Sequence, residues 1–108
     1  MRIGYIAAGL LMIILWAQAQ AAPDTTLSQT TVFTSGQEGY NTFRIPAIVC
    51  TNAGTLLAFC EGRKFSGEDT GVNELVLKRS ADNGTTWSPL EMIVSGPELT
   101  LNSPTPVV

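Results

Sequence analysis

The chain has 108 residues, a formal net charge of −3, 14% charged residues and no histidine. A mildly acidic sequence without a basic run argues against nucleic acid as a partner. Without histidine there is no base for serine-hydrolase chemistry, and two cysteines lacking zinc-type spacing give no reason to expect a metal centre or cofactor.

The first element in chain order is Arg2, an apolar run from Ile3 to Trp16, and the small-residue stretch Ala17-Gln18-Ala19-Gln20-Ala21-Ala22. This is the order of a secretory signal peptide. About 14 apolar residues fall short of the roughly 20 that span a bilayer, so the expectation is a leader over residues 1–21, cleaved after Ala19 or Ala21, without stable membrane insertion of the mature chain, an uncleaved or lipid anchor being the alternative. Secreted, periplasmic or cell-surface placement follows from it. The leader also inflates the 44% hydrophobic content, which is therefore no sign of a large core.

Residues 22–31 are a polar lead-in, and Thr31-Val32-Phe33 is a possible short strand before the Gly/Asn-rich segment Ser35–Asn41. Four runs rich in β-branched or apolar residues follow, Arg44–Val49, Thr55–Glu61, Glu74–Arg79 and Glu91–Val94, each bounded by Gly, Asn, Asp or Pro. A fifth run, Thr105–Val108, closes the chain. No segment after the leader holds a helical period for three turns, so the expected class is all-β.

Asn52-Ala53-Gly54 reads as a hairpin turn. Pairing Thr51 with Thr55 sets Cys50 opposite Leu56 and Cys60 opposite Pro46, about 13 Å apart along the ladder, whereas a disulfide needs Cα atoms within about 7 Å. Two buried free thiols are expected.

Two motifs stand out: Phe43-Arg44-Ile45-Pro46 and Ser80-Ala81-Asp82-Asn83-Gly84-Thr85-Thr86-Trp87. The first resembles the Phe/Tyr-Arg-Ile-Pro motif of sialidases, and the second is similar to the Ser-x-Asp-x-Gly-x-Thr-Trp Asp-box of their propeller blades. In the second, Asp82 can accept turn N–H groups, Gly84 tolerates positive φ, and Trp87 can lock the turn, so its reading is structural rather than catalytic. Asn83-Gly84-Thr85 also matches a glycosylation sequon, read at this level as part of the turn.

The resemblance implies a six-bladed β-propeller in the full protein, with residues 32–108 forming about the first blade and the start of the second. It implies an exo-α-sialidase of the bacterial type acting on terminal sialic acids of glycoconjugates. Arg44 falls where the family places the first of three arginines that clamp the substrate carboxylate, a task suited to a planar, permanently charged guanidinium. Asp69 falls on the aspartate that acts as general acid and base, with Glu68 one residue away. Arg63 matches an arginine beside the substrate pocket, although it could instead pair with Glu61 or Glu68 as an exposed ion pair. Ser103 stands where some relatives carry a sugar-contacting aspartate. The tyrosine nucleophile of the family, its glutamate partner and two further arginines are expected beyond Val108, so the chain alone is expected to be inactive. A non-catalytic carbohydrate-binding or adhesive Asp-box propeller is the alternative.

Overall fold

The computed structural model describes residues 22, 26–97 and 99–108, and the leader expectation for residues 1–21 lies outside them. The described part is all-β, one antiparallel sheet of β1 (Thr42–Cys50), β2 (Leu56–Arg63), β3 (Asn73–Ser80) and β4 (Glu91–Val94) in sequential order. All four strands coincide with the expected runs: β1 and β3 extend beyond them at both ends, β2 begins one residue later and runs two residues further, and β4 has the expected bounds. Neither Thr31–Phe33 nor Thr105–Val108 forms a strand. Phe33 instead packs its ring 5.2 Å from Phe43.

The first hairpin has the expected register, with Thr51 N–H donating to Thr55 O at 2.9 Å and Cys50 opposite Leu56. Its strands depart from regularity between Arg44 and Ala47, where β1 bulges opposite Cys60. Ile45 sits there with φ 51 and is exposed, so it does not alternate with Ala47 as a half-buried strand residue would. Across the bulge the Cys60 thiol donates to the Arg44 carbonyl at 3.0 Å. Burial pushes that thiol up to about 11. Both cysteines are free as expected, but Cys50 is exposed rather than buried, because it closes β1 at the edge of the sheet.

One face of the sheet carries the small core of Tyr40, Cys60 and Val76, flanked by Phe33, Phe43 and Leu90. Tyr40 lies across Gly62 and donates its hydroxyl to Glu74 Oε2 at 2.6 Å. Burial first, then the Glu74 carboxylate, push this phenol far above its ordinary value. A Cβ on Gly62 would meet Tyr40 Cε1 at 2.6 Å, which requires the ring to move. Gly62→Ala is therefore expected to destabilise the fold by about 1–3 kcal/mol through overpacking, measured by chemical denaturation.

At the far end of β3, Ser80–Trp87 forms a closed network. Asp82 accepts from Ser80 Oγ at 2.8 Å, Thr86 N–H at 2.9 Å and Thr86 Oγ1 at 2.6 Å, while Trp87 Nε1 donates to Gly84 O at 3.1 Å. Asn83 and Gly84 both take positive φ, 58° and 83°. The Thr86 hydroxyl and N–H, then Ser80, hold the Asp82 carboxyl down at about 2. A depressed carboxyl contributes stability that is full above its unfolded value near 4 and lost as pH falls through the folded value. Asp82→Asn is thus expected to flatten the acid limb of thermal stability between about pH 4 and 2, leaving its shape at neutral pH unchanged.

Candidate functional site

The opposite face of the sheet carries the polar end of the ladder. Arg44 pairs with Glu61 across β1 and β2, and Arg63 pairs with Asn73 across β2 and β3. Residues two apart on a strand share a face, so Arg44, Glu61, Arg63 and Asn73 converge. The loop from Lys64 to Val72 then returns over them, closed by Lys64 N–H on Val72 O at 3.2 Å. A cleft of about 320 Å³ results, lined by Arg44, Ile45, Glu61, Arg63, Asp69, Asn102 and Ser103.

Asp69 Oδ1 is the meeting point, 3.1 Å from Arg44 Nη1 and 2.9 Å from Arg63 Nη1. Both arginines also reach the Gly67 carbonyl, Arg63 at 2.6 Å and Arg44 at 3.5 Å. Their surroundings differ sharply: the Arg63 side chain is 2% exposed and that of Arg44 is 46% exposed. Arg63 donates from Nε and Nη2 to Glu61 Oε2 at 3.1 and 2.7 Å. That carboxylate outweighs the cost of burial and holds the guanidinium still more firmly in its charged form. The pairing with Glu61 that stood as the alternative for Arg63 is formed, and it is buried rather than exposed, because both partners lie on the inner strand β2 with the loop above them. Glu68 forms no ion pair among the described residues, whereas Asp69 forms two.

The segment after β4 completes the cleft from the other side. Thr100 bridges to Asn73 in parallel, Asn73 Nδ2 donates to Asp69 O and Asn102 Oδ1, and Ser103 N–H donates to Glu61 Oε1 at 2.6 Å. Asn73, Asn102 and the Gly67 carbonyl were not singled out by sequence. Nothing in their local pattern distinguishes them, since each matters only through contacts closed by the fold.

Two guanidiniums, Arg44 and Arg63, and two carboxylates, Glu61 and Asp69, thus line a small open cleft at one end of the sheet. Sequence comparisons find similar proteins. The chain is similar to the exo-alpha-sialidase of Aspergillus fumigatus, 45% identical over 76 residues that cover 65% of this chain and 19% of the relative. It is 43% identical to the exo-alpha-sialidase of Arthroderma benhamiae over 76 residues, again 65% and 19%, and 37% identical to the sialidase of Micromonospora viridifaciens over 62 residues, 57% and 10%. No protein-family model matches. Over the matched stretch the chain is sialidase-type sequence, and it spans about a fifth or less of the length of these curated relatives.

Proposed function

We propose that this chain is the N-terminal part of a secreted exo-α-sialidase whose complete domain is a six-bladed β-propeller, the described sheet being its first blade and Ser80–Trp87 an Asp-box. The observation that carries the reading is the convergence of Arg44, Arg63 and Asp69 in one cleft. Sialidase-type similarity supports the same choice of chemistry.

In this reading Arg44 binds the substrate carboxylate. Only its Nη1 is engaged by protein groups among the described residues, which leaves donors on a half-exposed guanidinium for a second carboxylate. Arg63, assigned to substrate binding from the sequence pattern, has Nε, Nη1 and Nη2 committed to Glu61, Gly67 and Asp69. Its part is to hold the loop against the cleft. Asp69, 77% exposed at the rim, protonates the leaving oxygen and later deprotonates water. Retention through a covalent intermediate then requires a nucleophile supplied by the remainder of the domain.

Arg44→Lys in the full-length protein tests the assignment. An ammonium keeps the charge but not the planar fork, so kcat/KM on a sialoside should fall by about 2–4 kcal/mol equivalent with the melting temperature unchanged. An unchanged specificity constant would refute the role. The double ion pairing of Asp69 also favours a second reading, a sialoglycan-binding propeller in which this aspartate only braces the arginines. That protein would bind sialylated glycans, with affinity lost in Arg44→Lys, and turn none over.

A further inference from the structure

Asn83 is the one asparagine in the chain followed by a non-proline residue and then Ser or Thr. Its place in the fold separates it from the work of the turn. Ser80, Asp82, Thr86 and Trp87 make the hydrogen bonds that close Ser80–Trp87, whereas the exposed Asn83 side chain makes none among the described residues. Its backbone, at φ 58, suits asparagine better than most residues, so the position is occupied for conformation and its carboxamide is left over.

We propose that Asn83 carries an N-linked glycan when the chain passes through a eukaryotic secretory pathway, an inference that rests on residues 1–21 being a secretory leader. In the transfer, Asn83 Nδ2 forms a bond to the anomeric carbon of a lipid-pyrophosphate-linked oligosaccharide. The bond from that carbon to the pyrophosphate oxygen breaks, the lipid pyrophosphate leaves with the electron pair, and the amide loses one proton.

The fold accommodates the product and sets its timing. Leu56 pairs with Ser80 at the turn end of the ladder and Arg63 pairs with Asn73 at the cleft end, seven steps or about 23 Å away, so a sugar on Asn83 stands clear of Arg44 and Asp69. Both the N–H and the hydroxyl of Thr85 bond the Asp82 carbonyl, at 3.3 and 2.9 Å. The threonine of the sequon is thus engaged once the turn closes, and transfer must precede folding. The modification therefore needs no folded protein, which makes it testable on nascent chain.

The experiment is in vitro translation of the whole chain with rough microsomes, once with its own N-terminus and once with an established signal peptide replacing residues 1–21. The expected result is a protease-protected product carrying a single glycan sensitive to endoglycosidase H. Release by the amidase that hydrolyses the bond between the asparagine side-chain carbonyl and the glycosylated nitrogen, in heavy-oxygen water, should leave labelled aspartate at position 83. Asn83→Gln and Thr85→Ala should abolish the shift, and Thr85→Ser should keep it. Protected but unmodified chain in both versions overturns the glycan and leaves the leader standing. Modification only behind the established signal overturns the leader, and with it the glycan in the protein as it is made.

Discussion

Asp69→Asn in the full-length protein should slow cleavage of sialosides with alkyl leaving groups by about 10²–10⁴-fold, the usual contribution of a general acid. Sialosides with activated aryl leaving groups should lose far less. An activated phenolate departs with little protonation, so the missing proton donor matters least there. Asparagine keeps the size of the side chain and an acceptor oxygen for the arginines, but it carries neither the charge nor the transferable proton. Steady-state kinetics on the two substrate types makes the distinction. Equal losses on both would return Asp69 to the bracing role described by its two ion pairs. A larger loss from Glu68→Gln would move the acid by one residue, although that side chain forms no ion pair in the cleft among the described residues.

Glu61→Ala should be among the most destabilising single changes in this segment. Glu61 and Arg63 are 1% and 2% exposed, and both carboxylate oxygens of Glu61 are used, Oε2 by Arg63 and Oε1 by Ser103 N–H. Removing one partner of a buried ion pair leaves the other charge uncompensated, a cost of about 3–5 kcal/mol. Asp69 cannot take over, because it lies at the exposed rim and meets Arg63 through Nη1 alone. Replacing both partners, Glu61→Leu with Arg63→Met, should recover much of that loss, since a packed apolar pair needs no compensation. Urea denaturation of the full-length protein and its variants measures both effects. A change under about 1 kcal/mol for Glu61→Ala would show that Arg63 is solvated, which contradicts its burial.

The same residues show how far a linear reading reaches. Strand positions were legible because alternating and β-branched runs bounded by Gly and Asn have few other ways to bury their apolar faces. The Thr51–Thr55 turn set the hairpin register, and with it the separation of the two cysteines. The Ser80–Trp87 turn was legible for another reason: its hydrogen bonds run between residues no more than four apart, so their spacing is itself the structure.

The cleft obeys a different logic. Arg44, Arg63 and Asp69 were identified through motif resemblance, yet their sequence pattern says nothing of their contrasting exposure. By sequence Arg63 was open to either a pocket-side role or an exposed ion pair, and it is buried because β3, the returning loop and the Asn102–Ser103 segment close around β2. The bulge at Ile45 and the exposure of Cys50 were likewise invisible, since both depend on which strand edge meets a neighbour. Local chemistry thus specified the strands and turns from the sequence alone, and motif resemblance supplied the titratable candidates. Burial is a property of surfaces contributed by residues tens of positions apart, and only their packing settled which charges are enclosed and which remain free to meet a ligand.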